Sequence, residues 1–130
     1  MGRIALRGIQ SEKGQELITI KQSRGPTYVF DGELLAEETF ETQGRPPMQI
    51  TMQIWETDGG AYIASSRAVP VGGGRPDSRA IVVDVIDDAP FEDAEQQRRI
   101  EVMDFFAWAD RARGMVKRDL PDWDFTVRVA

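Results

Sequence analysis

The chain has 130 residues, a formal net charge of −6, and 22 acidic against 16 basic residues. This length fits one domain, residues 1–130, which can bury a core without disulfides, and the acidic balance argues against direct binding to duplex nucleic acid. Cysteine and histidine are both absent, which excludes disulfides, thiolate nucleophiles and histidine-based catalysis, so a metal would need oxygen ligands. No cofactor motif is found, and we expect no cofactor.

The N-terminal segment predicts two short strands. Ile4 and Leu6 alternate with small or polar residues, and Leu17–Ile20 is rich in β-branched residues. Gly25–Pro26 then interrupts the chain. The segment has neither the apolar core of a signal peptide nor a membrane-spanning window, so we expect a cytoplasmic protein without membrane contact.

Residues 27–42 predict a first hairpin. Asp31-Gly32 lies between apolar runs, and this dipeptide favours a type I′ turn because both central positions need positive φ. A competing interpretation starts a short helix over Glu33–Glu38, since Glu, Leu and Ala are good helix formers. We favour the hairpin because strand-forming residues continue after this segment.

The clearest strand pattern follows the loop Gly44–Pro47. Over residues 48–54, apolar and uncharged polar residues alternate, which is typical of a strand with one buried face. Asp58–Gly60 then predicts a tight turn, and Ala61–Ala64 returns as the partner strand of a second hairpin.

Residues 70–86 predict a loop and then a central strand. Gly72–Gly74 could wrap an anion through backbone amides, but no Walker motif follows, so we favour a mobile hairpin tip. Ala80–Ile86 is apolar on both faces, which is typical of a strand at the centre of a sheet.

A single long helix is predicted from Asp87 or Asp88 to Arg113. One of these Asp residues is expected to cap its N-terminus, Pro90 to take the first helical position, and Gly114 to cap the C-terminus. Its second half should carry most of the burial, through a wide apolar stripe. The stripe comprises Val102, Met103, Phe106, Ala107 and Ala109, broadened by Phe105 and Trp108.

Residues 125–129 alternate between apolar and polar side chains, which predicts a short final strand. Together these elements predict an α+β domain. In this domain a mostly antiparallel, curved sheet of about six strands packs on one long helix in the C-terminal half.

Carboxylates form two groups with potential chemistry: Asp84, Asp87 and Asp88 at the end of the predicted central strand, and Glu37, Glu38 and Glu41 on another strand. Paired carboxylates can hydrolyse glycosides or bind magnesium, but a solvated strand end and a helix N-cap explain the first group more simply. The serines have no histidine partner and no nucleophile elbow. An enzymatic activity is therefore not indicated.

The aromatic side chains exceed what one helix stripe needs. Phe105 and Trp108 lie near the predicted helix end, and Trp55 and Trp123 lie near strand ends. Core packing is the default explanation, and the surplus indicates a candidate interaction surface, either a dimer interface or a small apolar pocket between sheet and helix.

Two segments carry a resemblance to a known family. Phe30–Ala36 (FDGELLA) and Gln53–Tyr62 (QIWETDGGAY) resemble a pattern in small bacterial proteins of the EXLDI type, in which a strand with Leu-Leu-Ala precedes a Tyr-x-Thr-x-x-Gly hairpin. The terminal signature of that family is expected over residues 122–125 and is absent from the sequence. The resemblance implies a bacterial protein and assigns no catalytic residues, because the family has no established activity.

Three functions are compatible with these features. The first is a non-enzymatic binding or regulatory protein that acts through protein–protein contact with a partner or a second copy, including an acidic inhibitor of a basic partner. The second is a small-ligand-binding domain that uses the crevice between the sheet and the face of Phe106 and Trp108. The third is an enzyme that uses carboxylates and magnesium.

Overall fold

The computed structural model describes residues 17–127 and residue 129. The strand predicted at Ile4 and Leu6 lies outside these residues. The elements are, in chain order, β1 (Ile18–Ile20), β2 (Tyr28–Phe30), β3 (Gly32–Glu41), β4 (Met48–Thr57), β5 (Tyr62–Pro70), β6 (Asp77–Val83), α1 (Phe91–Phe105) and α2 (Asp110–Asp119).

The strands form two antiparallel sheets. β1 pairs with β2, and the other sheet has the order β3-β4-β5-β6. The predicted α+β class with antiparallel pairing is confirmed, whereas the single curved sheet of six strands is wrong. The two sheets separate because β2 pairs with β1 and not with the strand that follows it.

The hairpin predicted at Asp31-Gly32 is wrong, and so is the competing helix over Glu33–Glu38. Asp31 immediately precedes β3, and Gly32 and Glu33–Glu38 lie within β3, which pairs along its length with β4. Gly32 lies opposite Thr57, and a Cβ on Gly32 would lie 2.3 Å from the carbonyl oxygen of Glu56. The glycine is therefore required for close approach of two backbones and not for a turn.

The other two tight connections are hairpins, as predicted. β4 and β5 are joined around Asp58, where Thr57 Oγ1 accepts the backbone N–H of Ala61 at 3.0 Å. Gly60 has a φ of 93°, which a residue without Cβ adopts at no steric cost. β5 and β6 are joined through the loop that contains Gly72–Gly74.

β6 lies at the edge of its sheet, so the prediction of a central strand over Ala80–Ile86 is wrong in position and in extent. Each face nevertheless carries a buried residue, since Ala80 is 5% exposed and Val83 is 4% exposed, whereas Val82 is 37% exposed. The segment after β1 also covers the edge: the Gln22 side-chain oxygen accepts the Ala80 N–H at 3.0 Å, and the Ser23 N–H donates to the Ser78 carbonyl oxygen at 2.8 Å. Burial at a covered edge thus resembles burial at the centre of a sheet.

Two helices replace the single long helix that was predicted, because the chain leaves the helix after Phe106. The N–H of Ala107 donates to the Asp104 carbonyl oxygen at 2.9 Å, and the N–H of Trp108 donates to that of Met103 at 3.1 Å. This pair of bonds defines a Schellman motif. Ala107 and Trp108 both have a φ of 54°, so alanine occupies the position that glycine usually takes.

The predicted helix ends also differ from those in the structure. Pro90 is the N-cap of α1, and no side chain of Asp87 or Asp88 caps the helix. Gly114 lies inside α2, which continues to Asp119. The capping role predicted for an Asp residue is therefore wrong.

The tail also differs from the prediction, because residues 125–127 and 129 belong to no strand. The segment instead lies along α1, where the side-chain amide of Gln96 donates to the carbonyl oxygens of Asp124, at 3.3 Å, and Thr126. A helix side chain, and not a neighbouring strand, therefore satisfies these backbone groups.

The core lies between one face of the four-stranded sheet and the two helices. Its fully buried large side chains are Ile54, Val102, Met103 and Met115. Val102, Met103 and Phe106 are buried as predicted, whereas Ala107 and Ala109 are exposed because the helix breaks there. Within residues 17–127, no helix is long and apolar enough to cross a bilayer.

Candidate interaction surface

Four aromatic side chains form a continuous row beside α1. Trp108 contacts Phe125 with ring centroids 5.1 Å apart, Phe125 contacts Trp123 at 6.3 Å, and Trp123 contacts Tyr62 at 5.2 Å. The rings meet at angles between 59° and 80°, a geometry that aromatic quadrupoles favour. We call Trp108, Phe125, Trp123 and Tyr62 the aromatic row.

Trp108 forms the exposed end of the aromatic row. The indole N–H donates to Asp104 Oδ1 at 2.7 Å, which fixes the ring against the last turn of α1. The residue is 36% exposed. The Schellman turn places this side chain outside the helix, so a large rigid ring is presented to solvent without being free to rotate.

Tyr62 forms the buried end of the aromatic row and is 4% exposed. Its hydroxyl donates to Glu95 Oε2 at 2.9 Å. Burial raises the pKa of Tyr62, and the hydrogen bond to the Glu95 carboxylate raises it further. The phenol therefore stays protonated at neutral pH.

Arg98 anchors the buried end of the row. Its Nε donates to the Asp84 carbonyl oxygen at 3.1 Å, and its remaining nitrogens bond the Glu95 carboxylate and the Gly60 carbonyl oxygen. The guanidinium also lies 4.4 Å from the ring centroid of Tyr62. These partners satisfy the buried charge, so Arg98 joins α1 to two loops of the sheet and is not available to a ligand.

The other two aromatic residues that were predicted for the surface lie elsewhere. Phe105 packs against Phe106 with centroids 5.1 Å apart and is covered by the Arg79 guanidinium at 5.0 Å. Trp55 contacts Phe30 at 5.8 Å, and its position on β4 places it on the face away from the helices. Of the four aromatic residues predicted for the interaction surface, the structure thus brings Trp108 and Trp123 together, through Phe125.

Phe125 and Tyr62 are not among the predicted surface residues, although Phe125 joins Trp123 to Trp108 and Tyr62 forms the buried end of the row. The sequence pattern predicts only a strand at Phe125 and a hairpin strand at Tyr62. A signal was present in the cluster of aromatic residues over 123–125. However, only the fold brings this segment beside the break after α1.

Aspartates lie close to the aromatic row in the sequence, and Asp104 contacts Trp108 directly. The aspartates adjacent to the row are all exposed and comprise Asp104, Asp110, Asp122 and Asp124. Hydrogen bonds from Thr126, of which the backbone N–H at 2.9 Å is the strongest, lower the pKa of Asp124. Arg113 pairs with Asp110, and Arg99 lies 5.3 Å from the Trp123 ring, so the rim is acidic with two nearby cations.

Two arginines of α2, Arg111 and Arg118, contact β3. Arg118 donates to Glu38 Oε1 at 2.6 Å, and Arg111 contacts Glu38 Oε2 at 3.5 Å. Arg118 also bonds Asp119, whose carboxylate accepts the Glu37 N–H at 3.2 Å on the edge of β3. These contacts lower the pKa of Asp119 and close the edge of the sheet.

Two of the carboxylates considered for catalysis, Glu37 and Glu38, are used in such contacts. Glu37 accepts from the Gln53 side chain at 2.7 Å, and Glu38 is held by two arginines. Among residues 17–127 and 129, no three acidic side chains gather as they would around a metal ion. Phe106, beside which a crevice was predicted, is 7% exposed and packs in the core.

No family model, curated protein or solved structure matches this chain. The resemblance to EXLDI-type proteins therefore stays a prediction.

Proposed function

We infer that this chain is a non-enzymatic binding protein that contacts its partner through the exposed end of the aromatic row. The observation that carries this inference is Trp108, which is 36% exposed yet fixed by Asp104 and Phe125. A rigid aromatic ring loses little conformational entropy on binding, and tryptophan is enriched among the residues that dominate interfaces.

The apolar surface continues along the tail beyond Phe125. Val127 is 56% exposed and Val129 is 85% exposed. Exposed apolar side chains that adjoin a fixed aromatic ring are typical of a contact surface. The tail thus adds apolar area to the surface that Trp108 defines.

The charge around Trp108 supports a partner with a basic segment. The four rim aspartates are exposed, and the lowered pKa of Asp124 keeps it ionised. An arginine or lysine side chain can contact the face of an indole and a carboxylate at the same time. The acidic net charge of the chain favours the same class of partner through long-range attraction.

A calorimetric titration with a nona-arginine peptide tests this proposal. We expect Trp108→Ala to weaken binding by about tenfold, because a cation–aromatic contact of about 1 kcal/mol and apolar area are lost together. Phe91→Ala is the matched control, since Phe91 is 78% exposed and makes no ring contact with the row. Equal affinities for both variants and the unmodified chain would contradict the proposal.

Sedimentation of the chain alone separates this partner from a second copy. A monomer over a hundred-fold concentration range is expected if the surface serves a basic partner. A dimer that Trp108→Ala dissociates would overturn the basic partner in favour of self-association.

A further inference from the structure

A pocket of about 180 Å³ lies where β1 meets the four-stranded sheet, on the face away from the helices. It is lined by Thr19, Ile20, Lys21, Gln53, Ser65, Ser66, Arg67, Ser78 and Arg79. This pocket is separate from the aromatic row, since the two share no residue. It is also smaller than the usual site for a drug-sized ligand.

Hydrogen bonds to β6 hold the wall formed by β1 in place. The Ser23 N–H donates to the Ser78 carbonyl oxygen at 2.8 Å, and Ser23 Oγ accepts the Ser78 N–H at 2.8 Å. Gln22 holds the Ala80 N–H in the same way at 3.0 Å. These bonds hold the residues next to Lys21 against β6, so this wall of the pocket is a hydrogen-bonded segment of the fold.

Hydrogen-bond donors dominate the opposite wall. Arg67 and Ser78 are cross-strand partners on β5 and β6, and Ser65 lies two residues earlier on the same face as Arg67. Ser65 is 8% exposed, and its hydroxyl lies 3.5 Å from Gln53 Oε1. The Ser65 proton is donated to Gln53, so the donors of this wall are the Arg67 guanidinium and the Ser78 hydroxyl.

The charge of the lining is opposite to that of the chain. The lining contains Lys21, Arg67 and Arg79 and no carboxylate, although acidic residues outnumber basic ones in the chain. The Arg79 guanidinium lies over Phe105 on the helix side, so Lys21 and Arg67 supply the charge inside. The Glu37 carboxylate is not part of the lining, but it accepts a hydrogen bond at 2.7 Å from the side-chain amide of Gln53, which is.

We propose that this pocket binds the oxyanion group of a small metabolite, a phosphate or a carboxylate. A guanidinium can bind two oxygens of such a group at once, while the ammonium of Lys21 and the Ser78 hydroxyl complete its hydrogen bonds. The volume of about 180 Å³ is large enough for one such group with a small substituent. The site is independent of the contact surface around Trp108.

Titrations with inorganic phosphate and with succinate test the proposal, each followed by amide NMR shifts at constant ionic strength in potassium chloride. We expect saturable shifts at Lys21, Ser65 and Ser78 with at least one of the two anions. The anion that binds more tightly identifies the oxyanion class. Absence of saturable shifts at these residues with both anions would overturn the proposal.

Charge variants then separate a built site from general attraction. Arg67→Gln and Lys21→Gln should each weaken binding by about tenfold or more, the usual effect of losing a charge-assisted hydrogen bond. Arg75→Gln is the matched control, because Arg75 is exposed on the β5–β6 loop and does not line the pocket. Equal weakening by Arg75→Gln would show that the shifts report net charge alone.

Discussion

Ala107 occupies a backbone conformation that glycine usually takes at helix ends, with a φ of 54°. A side chain in this region costs about 1 kcal/mol because Cβ approaches the following carbonyl oxygen. The Schellman bonds and the packing of Phe106 hold the turn in spite of this cost. The strain is located where the chain presents Trp108, which is where a fixed conformation serves the proposed contact.

Ala107→Gly should therefore stabilise the protein by about 0.5 kcal/mol, because the relief of strain exceeds the roughly 0.5 kcal/mol that the freedom of glycine in the unfolded chain costs. Urea unfolding measures the change. Ala109→Gly is the control, because Ala109 has a φ of −59° that alanine adopts without strain. A loss of stability in Ala107→Gly comparable to that in the control would contradict the strained turn.

Tyr62 predicts a pH dependence at alkaline pH. Because folding raises its pKa above the ordinary value of 10.0, the folded chain holds the phenol proton more tightly than the unfolded chain does. The resulting stabilisation is complete below about pH 10 and is lost as pH rises through the folded pKa.

Tyr62→Phe should remove this loss while lowering stability at neutral pH by about 1 kcal/mol, through the missing hydrogen bond to Glu95. Unfolding free energies between pH 8 and pH 11 measure the slope. Tyr28→Phe, on β2 in the other sheet, is the matched control. A slope in Tyr62→Phe as steep as in the control would argue against this role of Tyr62.

At the level of elements, Gly32 shows how one sequence signal can have two structural causes. Its dipeptide with Asp31 predicts a turn, but the glycine is needed because a Cβ would lie 2.3 Å from the Glu56 carbonyl oxygen. Gly32→Ala should destabilise the fold by about 2–3 kcal/mol by forcing β3 from β4. Gly72→Ala is the control, because nothing lies within 4 Å of its Cβ position. Similar thermal midpoints for the two variants would refute the close approach.

The sequence predicted a strand correctly where the alternation of apolar and polar residues matches the pairing seen in the sheet. The alternation over residues 48–54 gives β4 its buried and polar faces, and Asp58 marks the hairpin that follows. The pattern could not show the break after Phe106, because no glycine or proline marks it and the Schellman bonds depend on tertiary packing. It also could not distinguish an edge strand from a central one, because the covering segment after β1 is far away in sequence.

At the scale of the whole molecule, the two faces of the four-stranded sheet carry different chemistry. The helix face is apolar and ends at the aromatic row, where Asp104 bonds Trp108. The other face mixes apolar and polar side chains and holds the pocket beside Lys21 and Arg67. Sequence reasoning found Trp108 and Trp123 as surface candidates. It could not show that Trp55 lies away from Trp108 and Trp123, because the position of Trp55 depends on which face of β4 meets the helices.

The central claim is that Trp108 forms the contact surface for a basic partner. The chain has three tryptophans, so a nitrogen-15 NMR spectrum gives three indole N–H signals, one for each position. During titration with nona-arginine, we expect the Trp108 signal to shift first and furthest, because its N–H is bonded to Asp104 beside the acidic rim. The Trp55 signal, on the opposite face of the sheet, should stay unchanged. An unchanged Trp108 signal at saturation, or an equal shift of all three signals, would contradict the claim.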